Sequence, residues 1–485
     1  MKPIAEAAHD ELPYDRAAVT VGWAHFGVGN FHRVHQALYV DRALRRGDDL
    51  SWGIVGIGVS DGSAAREKAE RFRAQDGLYT VTEFDPDGTS TVAVVGSLVG
   101  YLHAPAEPER VLGLLSEPAV RIVSLTITEG GYVVDDTAAD SAARHPATVF
   151  GYLVRALARR RAAGVAPFTV VSCDNLRHNG ATTRRAVVGY AAATDLELAG
   201  WIEENVAFPN SMVDRIAPYV PAKQRARLTA ASGIDDQLPA VAESYLQWVV
   251  EDDFPAGRPA LEAVGVQLRP DVQAFEAVKG RMLNASHVLL SYPALLLGHR
   301  LVDEAMRDDR VRALADTFLR VDVMPLLEAP EGVALDEYRD LLLGRFANPA
   351  IGDQLVRIAG DGAAKIPVFH TATVEQLLER GADVRREALL FACYDRYLSG
   401  VDESGAPFAL AEPSLTERDW TLVHGDDPLA VLGVSTFEPL GLARHPVFVA
   451  EFLRMRELIR AGGVVAAVDD AIQAPTGSPR SGDSA

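Results

Sequence analysis

Residues 19–30, VTVGWAHFGVGN, decide the fold. The stretch 19–26 alternates and carries β-formers, so it reads as a strand, and it runs into a glycine turn, Gly27-Val28-Gly29. The continuation, NFHRVHQALYVDRALRRG, reads as a helix. Strand, glycine turn and helix form the first unit of a dinucleotide-binding fold. The glycines permit a tight turn and let backbone N–H groups approach a pyrophosphate at the helix N-terminus. His32 stands where the usual fingerprint has its third glycine, and a glycine turn before a helix is also compatible with plain structure.

The next strand, 52–59 (WGIVGIGV), ends at Ser60-Asp61. An acidic residue just past the second strand hydrogen-bonds the adenosine ribose and repels a 2′-phosphate, which favours NAD over NADP. Asp61 lies further from Gly29 than the usual spacing of about 20 residues, as a long first helix would allow; the alternative is a solvated loop aspartate. A helix over 64–75, a hairpin turning at 85–88 and a short helix near 107–115 lead to RIVSLTITEGGY, a buried strand ending in Thr126, Thr128 and Glu129. After a helix over 147–163, FTVVSCDNLRHNG is again a buried strand, delivering Ser172, Asp174, Asn175 and Asn179. FPNSMVDRI is a third case, with Asn210 and Asp214. Ligands of open α/β sheets bind beyond the carboxyl ends of the strands. Three such polar ends outline a crevice, although each residue alone could be a cap or turn residue.

Residues 276–287, EAVKGRMLNASH, read as a helix carrying Lys279, Asn284 and His287 at i, i+5 and i+8. At about 100° per residue these fall near 0°, 140° and 80°, roughly one face, with Glu276 one turn ahead of the lysine. From there to about 470 the pattern is mostly helical: 283–307, 309–327, 334–347, 351–359, 371–380, 384–399, 413–423, 427–432 and 446–460. The expected organisation is α/β: a dinucleotide-binding domain over 17–277, a mainly α-helical substrate and catalytic domain over 278–470, and a disordered Pro/Gly/Ser-rich tail over 471–485. The helix at 276–287 would lie between the two.

Bulk properties narrow the function. The 485 residues, 48% hydrophobic and 24% charged, suit a globular protein of two domains. A formal net charge of −20 argues against nucleic acid and anionic membrane partners, which need clustered Lys and Arg. It is compatible with a monomer or a weak homo-oligomer. With only two cysteines, Cys173 and Cys393, a disulfide framework or a cysteine-based zinc site is excluded by count. The N-terminus lacks a signal-peptide core and no run of 18 apolar residues occurs, so a cytoplasmic protein is expected. Only five of the 47 basic residues are lysines (Lys2, Lys68, Lys223, Lys279 and Lys365), so a lysine in an apolar helix points to titration chemistry.

A nicotinamide enzyme acting on an alcohol must take the hydroxyl proton while hydride leaves the same carbon. A zinc ion, a His–Asp pair and a Tyr–Lys pair are the usual solutions. The histidines form no helical ligand pair with a glutamate between, so no metal is expected. Tyr219 and Lys223 have the Tyr-x-x-x-Lys spacing, but Pro221 interrupts the turn that would join them. Lys279 is then the candidate base. Its reference pKa is about 10.4, and burial beside positive groups would lower it. Asn284 and Asn175 could donate to a developing alkoxide, His287 could orient a hydroxyl, and Glu276 could relay the proton. Arg357 and Lys365 add a second cationic cluster. The plain alternatives are a core histidine, a capping asparagine and a snorkelling lysine.

The motifs GVGNFHRVHQ, AQDGLYT, TITEGGY, SCDN followed by NG, FPNSMVDRI, VEDDFPAGRP, K-x4-N-x2-H and RIA-x-DG-x2-KIP occur in order over nearly the whole chain. Together they resemble the polyol-specific long-chain dehydrogenases, and within that family mannitol 2-dehydrogenase in particular. The resemblance implies a metal-independent enzyme with a Rossmann-type N-terminal domain and a mainly α-helical C-terminal domain. It implies Lys279 as general acid/base, Asn175 and Asn284 as an oxyanion hole, and Glu276 as a gate for the proton. Asp214, His287, Arg357 and Lys365 would position substrate. The cofactor-binding set is Phe26, Gly27, Val28, Gly29, Asn30 and Phe31, with Asp61 and Thr128, and the cofactor is NAD. The implied reaction interconverts D-mannitol and D-fructose. Arabinitol 4-dehydrogenase, a fructuronate or tagaturonate reductase, and a catalytically silent nicotinamide-binding sensor are the competing readings.

Overall fold

A computed structural model describes residues 1–133 and 137–473. The chain divides into two compact units, Met1–Glu276 and Ala277–Ala485. The first is built on a five-stranded sheet, entirely parallel, of β1 (Val21–Phe26), β2 (Gly53–Gly58), β5 (Leu98–His103), β6 (Ile122–Leu125) and β7 (Thr169–Ser172), in the order β5-β2-β1-β6-β7. Its strands read as continuous apolar runs because both faces are covered. Alternate residues serve opposite layers: Trp23, Ile54, Ile122 and Val171 join one core, while Ala24, Phe26, Val55, Val123 and Val170 join another.

Strand order reverses between β1 and β6, so the carboxyl ends of these two strands flank the switch point at which such sheets bind ligands. After β1 come α1 (Asn30–Val34) and α2 (Gln36–Leu44). The expected single helix breaks at His35, whose backbone leaves the helical region at φ −122°, ψ −93°. Helix α3 (Ser63–Ala74) follows β2, α4 (Pro108–Ser116) follows β5, and α5 (Val149–Ala162) and α6 (Asn179–Ala192) flank β7. The expected hairpin is present as β3 (Tyr79–Phe84) and β4 (Ser90–Val95), antiparallel. The third polar strand, β8 (Ser211–Asp214), lies outside the parallel sheet and pairs antiparallel with β10 (Gln247–Val250); β9 (Ala240–Glu243) extends the hairpin sheet.

The second unit is helical around one core. It includes α8 (Ala285–Leu296), α9 (Leu335–Phe346), α10 (Leu355–Ala359), α11 (Gly362–Glu379), α12 (Arg385–Tyr397) and α13 (Pro446–Ile472); α7 (Val272–Val278) precedes it. Several expectations give way to it, among them the helix expected over 283–307, which breaks after Leu296 and resumes at Val302. Helix α11 begins well before 371 because Pro367 is accommodated inside it, and α13 kinks at Gly463, beyond which a second helical stretch reaches Ile472. Gly463 takes a positive φ of 76°, Glu403 accepts the Val464 N–H at 2.6 Å, and the helix resumes with Val464, Ala467 and Val468 buried. Of the tail expected from 471, residues 474–485 lie outside the described ones. Both cysteines are buried and unlinked. Among the described residues no helix is long and apolar enough to cross a membrane.

Candidate active site

In the first unit the glycine turn is shaped from behind. Gly27 has φ 91°, and a Cβ there would lie 2.0 Å from the Thr126 carbonyl oxygen, so only glycine fits. At Gly29 a Cβ would meet nothing nearer than the Gly27 oxygen at 3.8 Å, which marks the open side of the turn. All three turn carbonyls are engaged by the chain's own donors. Gly27 O accepts from Gly29 N at 2.6 Å and Thr126 Oγ1 at 2.7 Å, Val28 O from Lys68 Nζ, and Gly29 O from Arg33 Nε at 3.3 Å. With the oxygens that would repel an anion turned away and Gly29 open, the turn fits the pyrophosphate of a dinucleotide.

A directed chain of hydrogen bonds reaches this turn. Trp23 Nε1–H can only donate, and gives to Ser124 Oγ at 2.7 Å. Ser124 then donates to His25 Nδ1 at 2.7 Å, and His25 Nε2–H to Thr126 Oγ1 at 2.9 Å. The Thr126 hydroxyl must donate onward to the Gly27 carbonyl at 2.7 Å. The Gly27 end fixes the proton on Nε2, and with the ring uncharged Nδ1 is the acceptor, so His25 is the neutral Nε2–H tautomer. Burial agrees, pushing its pKa down to about 3. His32, in place of the third glycine, stacks on His25 at 3.4 Å and is fully buried.

The remaining cofactor candidates fall into two groups. Phe26 and Val28 turn their side chains into the core, Phe26 against Tyr152 at 6.0 Å, so only their backbone faces the turn. The Asn30 amide is committed to the Pro218 carbonyl and to Arg33, and Phe31 stacks on His35 at 4.8 Å. Asp61, by contrast, is exposed just past β2. Its Oδ1 accepts from Gly62 N at 2.8 Å and Arg66 Nη2 at 2.9 Å, and the Arg66 bond holds the carboxyl below its ordinary value. Thr128 is strained: φ 61°, ψ 169° is backbone that glycine adopts freely and a β-branched residue rarely. Its N–H donates to Asp174 Oδ1 at 2.8 Å, and Asp174 also takes Ile127 N and the Tyr132 hydroxyl, tying the ends of β6 and β7.

Asn175 follows Asp174 and is exposed. Asp214 is buried at the end of β8. Asn210 and Asn179 are structural: Asn210 Oδ1 accepts the Gly180 and Ala181 N–H groups, and Asn179 Nδ2 donates to Ser211 O at 2.7 Å. Glu276 ends this unit with both carboxylate oxygens 3.2 and 3.3 Å from the His178 N–H. His178, in left-handed backbone at φ 50°, was not singled out from sequence, where nothing marks a left-handed histidine.

In the second unit, residues Lys279–Asn284 are not α-helical but π-helical, and the Ala285 N–H reaches back to Gly280 O. Bonds from i to i+5 bring side chains five apart into line, as i to i+4 bonds do in an α-helix. Lys279 and Asn284 are therefore closer to one face than α-helical geometry implies, with Met282 and Leu283 turned into the core. Arg281 pins the turn to α11 through Thr373 Oγ1 at 3.0 Å. His370, also on α11, bonds Ala285 O through Nε2 at 3.1 Å and Glu387 through Nδ1 at 3.0 Å.

His287 is buried and stacked on Phe346 at 4.0 Å. Arg357 grips Asp353 through Nε at 2.8 Å and Nη2 at 2.5 Å. The Lys365 ammonium donates to the carbonyls of Arg357, Ile358 and Gly360 at 3.2, 3.1 and 2.5 Å, which makes it a cap for the C-terminal end of α10. Sequence reasoning missed Asp353 and Phe346; only their nearness to Arg357 and the apolar face of α9 could have signalled them.

The family model described as the mannitol dehydrogenase Rossmann domain matches residues 22–263, and that of the mannitol dehydrogenase C-terminal domain matches residues 271–459. A polyol:NADP oxidoreductase of Gluconobacter oxydans is 48% identical over 94% of this chain and 96% of its own length. A mannitol 2-dehydrogenase of Cereibacter sphaeroides is 40% identical over 93% and 96%. Among solved structures, Pseudomonas fluorescens mannitol 2-dehydrogenase in ternary complex with NAD and D-mannitol superposes with a TM-score of 0.88 at 39% identity, covering 98% of this chain and all of that one. A D-sorbitol dehydrogenase in substrate-free form superposes at 0.85 with 46% identity, covering 94% and 97%. This chain belongs to the mannitol dehydrogenase family.

Proposed function

We propose that this oxidoreductase is a metal-independent, NAD-dependent polyol dehydrogenase that interconverts D-mannitol and D-fructose. The observation that carries the reading is the π-helical turn bearing Lys279 and Asn284, a base and an amide donor five residues apart in a segment whose hydrogen bonding aligns that spacing. Lys279 takes the proton of the substrate hydroxyl in oxidation and returns it in reduction. Asn284 and Asn175 donate amide hydrogens to the same oxygen as it gathers negative charge. Glu276, held by the His178 N–H, passes the proton between Lys279 and solvent. Asp214, His287 and Arg357 orient the remaining hydroxyls, and Lys365 fixes the end of α10 that carries Arg357. Bound nicotinamide supplies the hydride acceptor.

The turn at Gly27, Val28 and Gly29 and the exposed carboxylate of Asp61 support a dinucleotide without a 2′-phosphate. The NAD and D-mannitol complex of the Pseudomonas relative supports the same choice. The NADP-dependent Gluconobacter relative favours a second reading, in which Arg66, beside Asp61, meets a 2′-phosphate. A panel of mannitol, sorbitol, arabinitol, fructose and two keto-uronates, run with both cofactors and with EDTA, tests the assignment. Fructose reduction with NADH that survives EDTA is expected; a higher kcat/KM on a uronate would overturn the substrate, and loss of activity in EDTA the metal independence.

A further inference from the structure

Lys68 has no part in the reaction proposed above, yet its place is specific. It lies on α3, half-buried, and its ammonium donates to the carbonyl of Val28, the middle residue of the dinucleotide turn. Arg33, from α1, is buried on the same turn. Its guanidinium donates to Gly29 O, Leu238 O and Asn30 Oδ1. Among the described residues neither cation has a carboxylate at ion-pair distance. A buried guanidinium with the Asp236 carboxylate only at longer range and a half-buried ammonium on a carbonyl are costly together, and they are found here in a chain of net charge −20. An anion bound on the open side of the turn would balance them.

We propose that Lys68 is a positioning residue for the cofactor. Its cation turns the Val28 carbonyl away from the pyrophosphate and supplies positive charge behind the turn that receives it. The inference rests on the nicotinamide-dinucleotide reading and deepens it. Arginine would not serve equally, because a planar guanidinium is larger than the compact ammonium that meets this single carbonyl.

The charge has a further consequence. Burial, and after it the neighbouring charge of Arg33, lower the Lys68 pKa to about 8. The other groups near it cannot compensate. His25 and His32 are buried and neutral, and Tyr101 on β5, which packs against α3, is pushed up to about 12 by burial. In the free protein the ammonium is therefore lost as pH rises through about 8. A bound anion favours the protonated form, so cofactor binding takes up a proton and weakens with rising pH.

The test is NADH binding to the full chain, measured by fluorescence titration from pH 6.5 to 9.5 without substrate. The wild-type Kd is expected to be flat below pH 7, to rise through pH 8 and to level off about tenfold higher, near the Lys68→Met value. Lys68→Met is expected to bind about tenfold more weakly with no pH trend, and Lys68→Arg, charged throughout, to show no trend either. A flat wild-type profile, or a wild-type slope retained in Lys68→Arg, would overturn the role of Lys68 while leaving the cofactor reading intact. Failure of the wild type to bind NADH at any pH would overturn the cofactor reading itself.

Discussion

The Ala285 N–H bonds the carbonyl of Gly280, five residues back, and this bond sets the relation between Lys279 and Asn284. In an α-helix the two side chains would stand about 140° apart; the wider turn closes that angle. A π-turn costs stability relative to regular helix, and Thr373 and His370 of α11 anchor it through Arg281 and the Ala285 carbonyl.

If the turn serves to hold a base beside an amide donor, removing either should act on turnover and not on folding. Lys279→Ala is expected to lower kcat for fructose reduction by roughly 10²–10⁴-fold. Asn284→Ala should cost about 10²–10³-fold. NADH affinity should stay at the wild-type value in both. Full turnover in Lys279→Ala would remove the lysine as the base.

Asp61 should control the choice between the two nicotinamide cofactors. Both Asp61 and Arg66 are exposed, and the carboxylate holds the guanidinium at 2.9 Å. Asp61→Ala removes the repulsion of a 2′-phosphate and releases Arg66 to meet one. The ratio of kcat/KM for NADPH to that for NADH should rise by at least about tenfold, the equivalent of 1.4 kcal/mol. An unchanged ratio would make Asp61 a loop residue with no contact to the ribose.

Asp353 and Arg357 should make the second unit acid-sensitive. Burial alone would raise the Asp353 carboxyl; the hydrogen bonds and charge of Arg357 outweigh it and hold the group below its ordinary value of 3.8. A folded pKa below the unfolded one contributes stability that is present above the unfolded value and lost as pH falls through the folded one. The contribution should therefore be complete at neutral pH and decline only below about 4. Arg357→Met leaves the buried carboxylate without its main donor and should cost about 1–3 kcal/mol in urea unfolding at pH 7, with the deficit shrinking below pH 4. A deficit independent of pH would mean that the lost packing, not the charge, matters.

The sequence was most legible where local pattern and fold agree. The buried runs of β1, β2, β6 and β7, the glycine turn and the hairpin at 85–88 all rest on periodicities of a few residues. The π-turn was not legible, because KGRMLN has the composition of an ordinary helix and its distortion is held by Thr373 and His370, far along the chain. The same holds for the strand ends. Asn175, Asn179 and Asn210 look alike in sequence, yet Asn179 and Asn210 cap and tie elements while Asn175 is exposed. Lys68 was within reach, as one of five lysines, but what distinguishes it is a carbonyl on another element. Gly463 does interrupt the helix expected to end at 460, but Glu403 accepts the Val464 N–H and a further helical stretch follows, which local pattern did not reveal.

His370 and Glu387 make the sharpest case for a structural test. Both are buried, at 1% and 0% side-chain exposure. His370 Nε2 faces the Ala285 carbonyl, which can only accept, so that nitrogen carries a proton. Nδ1 faces the Glu387 carboxylate. Whether the second proton sits on the ring or on the carboxyl, the pair holds one more than a neutral imidazole and a carboxylate would, and it is net neutral, as burial favours. Glu387→Gln can donate to Nδ1 and keep the ring neutral, so it should cost less than about 1 kcal/mol. His370→Leu leaves a buried carboxylate unpaired and should cost about 3–5 kcal/mol. It also frees the Ala285 carbonyl beside Asn284, so kcat should fall while NADH binding holds. Equal losses from the two substitutions, with kcat unchanged, would show that the π-turn does not depend on the His370 bond to the Ala285 carbonyl.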